Sequence, residues 1–203
     1  MRNDRWIPFA GFSQRVRQRA LVVLVVLSVA IAAVVARLGA GLFVPAVPSG
    51  IISFELAGNA AAATAMLRAW GPALSEAARI QTWVDFAYLA VYAPTLALAA
   101  GLAVGPWAKR SASLSGLGVL LSWGALAAGL LDVIENAAML RMLTDAPSDA
   151  LALLARICAI GKFTLILATV TYALFGAALW IADAIIAIGK LWFRTMPDNP
   201  DET

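Results

Sequence analysis

Ionisable side chains inside long apolar runs are the residues of this sequence that could do chemistry. Each of four apolar runs contains one of them, namely Arg37, Asp85, Asp132 and Lys162. Glu135 follows Asp132 by about one helical turn. Counted at about 1.5 Å per helical residue, these groups lie near the outer edge of the hydrocarbon. Paired carboxyl groups in an apolar setting can act as acid and base, or orient the polar end of a bound molecule.

Spacing along the predicted helices turns these groups toward a common interior. One face of the second span carries Gln81, Asp85, Tyr88 and Tyr92, at i, i+4, i+7 and i+11. On the third span Asp132 and Asn136 share a face, with Glu135 beside it. Charged groups in a span normally face the bundle interior and find partners there. We therefore predict a polar pocket open to the outer side, lined by Asp85, Tyr88, Tyr92, Asp132, Glu135 and Asn136.

Three basic residues are the predicted charge partners of the carboxylates. The candidates are Arg37, Arg156 and Lys162. Two interpretations stay open. Ion pairs to Asp85 and Asp132 could hold the four helices together and have no further role. Alternatively, the carboxylates act on a ligand, and Asp85 and Glu135 are then the residues most directly involved.

The composition places these residues in a membrane protein. Of 203 residues, 62% are hydrophobic and 13% are charged, and the mean hydropathy is +0.85. A soluble domain carries about 25% charged residues. We predict an all-α integral membrane bundle of four transmembrane helices, forming a single domain over residues 20–192. Its spans are predicted at residues 20–44, 82–104, 114–134 and 163–184. A basic segment, residues 1–19, precedes the domain, and a disordered tail, residues 193–203, follows it.

A short additional helix is predicted between the first two spans, on the outer side. Pro45 and Pro48 end the first span, because proline cannot donate to the helical ladder. Ser53 is then the predicted N-cap of an amphipathic helix that runs to Ala69. We expect it to lie flat on the membrane surface or against the bundle. The pair Gly71-Pro72 predicts a break before the second span.

The distribution of basic residues predicts the orientation. One side of the bundle carries the arginines of residues 1–19 together with Lys109, Arg110, Lys190 and Arg194. The other side mixes both signs. By the positive-inside rule the first side is cytoplasmic, and both termini lie there. We expect the protein in the cytoplasmic (inner) membrane of a bacterium.

Several classes of site are excluded or not expected. The chain has one cysteine, Cys158, and no histidine, so an intramolecular disulfide and histidine-ligated metals are excluded. We expect no metal and no cofactor. Nucleic acid is not an expected partner, because no basic face exists outside the N-terminal segment. The expected partners are membrane lipids, and a membrane-protein partner or a homo-oligomer stays open.

Three functions stay open. Binding or moving a lipid-like or small amphipathic molecule leads, because intramembrane charge is by default a functional-site hypothesis. An accessory or structural subunit of a larger membrane complex is the second. The third is a carboxylate-dependent, isomerase-like membrane enzyme. For this one, four-helix sterol isomerases offer a fold-level analogy, which rests on helix count and on Asp85, Asp132 and Glu135 alone. We expect a protein without enzymatic activity rather than an enzyme.

Overall fold

The computed structural model describes residues 3–195, and side chains are described for residues 5–190. This part of the chain is all-α, as predicted. Its α-helices are α1 (Gln14–Gly39), α2 (Ile51–Glu55), α3 (Ala60–Ala108), α4 (Ala112–Thr144) and α5 (Asp149–Thr195). Short 3-10 helices cover Asn3–Trp6 and Ala40–Leu42. Residues 3–195 form no β-strand, only an isolated bridge between Val44 and Val47.

Four of the helical segments are long and apolar enough to cross a membrane. They are Gln14–Leu42, Ala60–Ala108, Ala112–Thr144 and Asp149–Lys190. This confirms the predicted bundle of four transmembrane helices. The first helix begins before the predicted span, because the Ser13 side chain accepts a hydrogen bond from the Val16 amide and caps it. The last helix includes residues 193–195, which we had predicted as tail, and the rest of that tail lies outside the described residues.

Helix α3 is two helices joined at Gly71. Gly71 has φ 63° and ψ −178°, so the chain leaves the helical region there and Pro72 starts a new helix. The predicted break at Gly71-Pro72 is confirmed. A side chain at position 71 would strain the backbone, because L residues rarely adopt this positive φ.

The predicted outer helix from Ser53 to Ala69 is wrong as one element. Helix α2 ends at Glu55, Gly58 adopts φ 75°, and Asn59 starts α3 by accepting a hydrogen bond from the Ala62 amide at 2.8 Å. A positive-φ glycine followed by a strong N-cap residue stops one helix and starts another. Ser53 lies inside α2 and accepts a hydrogen bond from the Ser49 amide instead.

Residues 43–70, here called the cap, cover one end of the bundle. Phe54 and Trp70 are buried there with their ring centroids 5.5 Å apart, and the Trp70 indole donates to the Leu42 carbonyl at 2.9 Å. Met139 and Met142 of α4 belong to the same buried cluster. The cap therefore packs against the bundle, which was one of the two predicted placements. We call this end the capped end, and the opposite one, which holds the start of α1 and the end of α5, the terminal end.

Helix α3 is the central helix of the bundle. It packs against α1, α4 and α5, and α4 and α5 also pack against each other. Small residues allow the close approach, since a Cβ placed on Gly129 of α4 would lie 2.7 Å from the Cβ of Ala93. Helix α1 packs along α3 and not along α5. A cleft therefore remains between α1 and α5, with α3 behind it.

Candidate functional site

Lys162 of α5 is the centre of a buried polar network at the capped end. Its ammonium donates to Asp132 Oδ1 at 2.7 Å and to Glu135 Oε1 at 2.8 Å, both on α4. Glu55 Oε2, at the end of α2, lies 3.6 Å from the same nitrogen. The side chains of all four residues are less than a tenth exposed. Burying charged groups is tolerated only when they are paired in this way.

Helix α3 adds two further hydrogen bonds to this network. The Tyr92 hydroxyl donates to Asp132 Oδ2 at 2.7 Å. Asp85 Oδ2 accepts from the Asn136 side-chain amide, also at 2.7 Å. The ring of Tyr88 lies beside that of Tyr92, with centroids 5.1 Å apart. The structure thus brings together all six predicted pocket residues, because helical spacing put them on the faces where α3, α4 and α5 meet.

Two predicted charge partners lie outside the network. Arg37 of α1 and Arg156 of α5 are both exposed, and neither forms an ion pair with another described residue. The Arg156 guanidinium lies against Gly58, where a Cβ would fall 2.8 Å from its Nη1. Of the three basic candidates, Lys162 alone joins the carboxylates. Arg37 was predicted to lie at a depth similar to that of Lys162, but its side chain does not join the carboxylates.

Sequence reasoning missed Glu55. The residue lies outside the predicted spans, yet the cap folds it into the bundle, where it is 6% exposed. Burial raises the pKa of the Glu55 carboxyl above its usual range, and the nearby Lys162 ammonium opposes that rise. One signal could have identified it, because Glu55 is the single charged residue between Arg37 and Arg68.

A cavity of about 590 Å³ opens beside this network. Its polar end is lined by Glu55, Gln81, Asp85, Asp132, Asn136 and Lys162. Tyr88 and Tyr92 also line it, whereas Glu135 lies behind Lys162 and does not. Farther toward the terminal end, the wall is formed by apolar side chains such as Leu96, Ile166 and Val170. Ser28 and Thr95 also line this part, with their hydroxyl oxygens 3.2 Å apart. The cavity is thus charged at one end and mostly apolar at the other.

Some oxygens at the polar end have unused hydrogen-bonding capacity. Glu55 Oε2 and Gln81 Oε1 are buried without a hydrogen-bond partner in the described part of the chain, and both residues line the cavity. Glu135 Oε2 is also without one, behind the wall. Buried polar atoms in folded proteins are nearly always hydrogen-bonded, so unpartnered acceptors beside a cavity point to a ligand that donates. Across the described residues, the acidic side chains form no group with metal-site geometry.

Comparison with known proteins finds no matching family model, no matching curated protein and no matching solved structure.

Proposed function

We propose that this protein binds a lipid-like or small amphipathic molecule in the cavity, and moves it in or out of the bilayer. The observation that carries the proposal is the polarity gradient of one continuous cavity, from Asp85 and Lys162 at the capped end to Val170 at the other. Small-molecule sites are concave, largely apolar, and oriented by a few polar groups. This cavity has those properties.

The dimensions suit such a ligand. A volume of about 590 Å³ is within the range of roughly 300–1,000 Å³ for small-molecule pockets. Leu96 follows Gln81 by 15 positions on α3 and both line the cavity, so the cavity extends about 22 Å along the helix axis. An elongated molecule with one polar end fits this space better than a compact polar one does.

The packing of α1 supports entry from the membrane. Helix α1 contributes Ser28, Ala32 and Val35 to the cavity wall but packs along α3 and not along α5. The cleft between α1 and α5 therefore faces the hydrocarbon region. An amphipathic molecule in the bilayer could pass through it sideways with its apolar part still in lipid.

A steric block at the apolar end tests the proposal. Val170→Trp fills part of the cavity, so this variant is expected to lose the molecule that the wild type retains through gentle purification, as detected by native mass spectrometry. Leu174→Trp is the matched control, since Leu174 lies about one turn along α5, is 66% exposed and does not line the cavity. If the wild type retains no molecule and its melting temperature responds to none in a lipid screen, the proposal is wrong.

We also propose that the capped end faces away from the cytoplasm of a bacterium, with the protein in the inner membrane. The excess of lysine and arginine at the terminal end supports this orientation. Its test is labelling of intact cells with an impermeant maleimide, using Asp149→Cys at the capped end and Arg110→Cys at the terminal end in a Cys158→Ala background. Labelling of the Arg110 variant alone would reverse the orientation.

An accessory subunit of a membrane complex is the second candidate function. The observation in its favour is the exposed valine-rich surface of α1, where Val22, Val26 and Val29 are each more than 60% exposed. A helix of a partner subunit could pack there in place of lipid. Purification in a mild detergent tests it, because a chain that elutes alone and still binds its ligand has no need of a partner.

A further inference from the structure

The polar end of the cavity holds more negative than positive groups. Four carboxyl groups belong to the network, those of Glu55, Asp85, Asp132 and Glu135, and three of the four line the cavity. Lys162 is the one basic residue in the cavity lining as far as the structure describes it. The network therefore has a large excess of acidic groups in a region of low dielectric constant.

The ammonium of Lys162 donates its short hydrogen bonds to residues of α4. Its two short contacts are to Asp132 and Glu135, and Glu55 is farther away at 3.6 Å. Among the described residues, Asp85 accepts one hydrogen bond, from the neutral amide of Asn136, and forms no ion pair. Of the four carboxyl groups, those of Glu55 and Asp85 are thus the most able to accept further hydrogen bonds or to pair with a second cation. Both face the cavity.

The acceptor oxygens at the polar end of the cavity can accept further hydrogen bonds, and a positively charged donor suits them best. Gln81 Oε1, and Glu55 Oε2 at 3.6 Å from the Lys162 ammonium, are acceptors without a hydrogen-bond partner among the described residues, each on a residue that is 6% exposed. An ammonium group has up to three N–H donors and no acceptor, so it complements an acceptor-rich, acidic wall. The rings of Tyr88 and Tyr92 lie next to this wall and can attract a cation through their faces.

We propose that the polar end of the cavity takes a protonated amine, so that the ligand is a cationic single-chain amphiphile. This inference rests on the proposed function and adds the chemical class of the ligand. The ammonium group lies between Glu55 and Asp85 and donates to their carboxylates and to Gln81. The hydrocarbon chain follows Leu96, Ile166 and Val170 toward the terminal end.

A matched set of amphiphiles tests the class of ligand. The full-length protein is placed in phosphatidylcholine nanodiscs and titrated with dodecylamine, dodecyltrimethylammonium, dodecanol and dodecanoate, and empty nanodiscs are subtracted. Affinity is read from the shift in melting temperature and from native mass spectrometry. Dodecylamine is expected to bind most tightly, dodecyltrimethylammonium less tightly because it has no N–H donor, and dodecanoate least tightly.

Neutralising the two proposed contacts tests the position. Asp85→Asn and Glu55→Gln are each expected to weaken dodecylamine binding by about tenfold to a hundredfold, the contribution of one charge-assisted hydrogen bond. Binding of dodecanol is expected to stay the same in both. Glu76→Gln is the control. Glu76 is an exposed carboxylate on α3, the helix of Asp85; it pairs with Arg79 and lies outside the cavity lining.

The outcomes separate the two proposals. If dodecanol or dodecanoate binds as tightly as dodecylamine, the amine preference is wrong while the amphiphile-binding function stands. If dodecylamine binds best but neither Asp85→Asn nor Glu55→Gln weakens it relative to Glu76→Gln, the assigned position is wrong. If no amphiphile binds to the folded wild-type protein, both proposals fall.

Discussion

The two ends of the bundle use the same kind of ion pair in different surroundings. At the terminal end Asp183 of α5 pairs with Lys109 at 2.9 Å and Arg110 at 2.7 Å, and these side chains are 26–66% exposed. At the capped end Lys162 pairs with Asp132 and Glu135, and these side chains are at most 6% exposed. Exposed pairs add little stability because water and salt screen them. Buried groups depend on their partners, so the capped end has far more to lose when one partner is removed.

The largest expected effect is at the capped end. Lys162→Met leaves Asp132 and Glu135 buried beside Glu55 without a cation, and we expect a loss of about 3–5 kcal/mol in the free energy of unfolding. Unfolding in detergent, followed by circular dichroism, measures it. Lys109→Met at the terminal end is the matched control and is expected to change the melting temperature little, since Arg110 still pairs with Asp183.

A neutral network distinguishes lost pairing from lost packing. Adding Glu55→Gln, Asp132→Asn and Glu135→Gln to Lys162→Met removes the unpaired charges, and most of the lost stability is expected to return. If Lys109→Met lowers the stability as much as Lys162→Met does, or if the neutral combination restores no stability, the difference in stability between the two ends is not electrostatic.

A medium effect is expected where helices pack most closely. Gly129→Ala places a Cβ 2.7 Å from that of Ala93, so α3 and α4 must move apart at a cost of about 1–3 kcal/mol. Gly116→Ala is the same change on the same helix toward the terminal end, where no neighbouring atom lies within 4 Å of the new Cβ. Thermal unfolding of both variants measures the difference. Equal melting temperatures would show that the helix contact at Gly129 adapts without cost.

The smallest expected effect concerns helix caps. Asn59→Ala removes the acceptor for the Ala62 amide at the capped end and is expected to cost about 1 kcal/mol. Ser13→Ala removes the corresponding acceptor at the terminal end, where the bond is longer, 3.4 Å against 2.8 Å, although both bonds are exposed. We expect the Ser13 variant to unfold closer to the wild type. A larger loss for Ser13→Ala would mean that cap stability does not follow the difference between the ends.

The helices and their interior faces could be predicted because both depend on local pattern. Long apolar runs identify spans, and the pair Gly71-Pro72 marks the break within α3. Spacing of three and four residues identified Asp85, Tyr92, Asp132 and Asn136 as neighbours in space. This reasoning needs only the helical period and the cost of charge in lipid.

The fold of the cap and the direction of α1 could not be predicted in the same way. Glu55 reaches Lys162 because residues 43–70 fold back onto the bundle, and that path depends on long-range contacts such as the one between Trp70 and Leu42. Arg37 follows a run of α1, residues 20–36, that is apolar on every side apart from Ser28, so periodicity does not tell which side faces α3. Gly58 and Asn59 were the local signal that the outer helix is split in two.

The order of residues in the chain has a consequence for how the bundle is made. Lys162 lies on the last helix, whereas Glu55, Asp85, Asp132 and Glu135 all precede it. A chain synthesised from its N-terminus therefore exposes these acids to the insertion machinery before their counter-ion exists. Insertion scales assign about 2.5–3.5 kcal/mol to a charged residue at the centre of a span, and the cost is lower near the edge of the hydrocarbon, where Asp85, Asp132 and Glu135 are predicted to lie. Helix α5 brings the cation, so we expect a chain cut after α4 to leave the acids of the network without their partner.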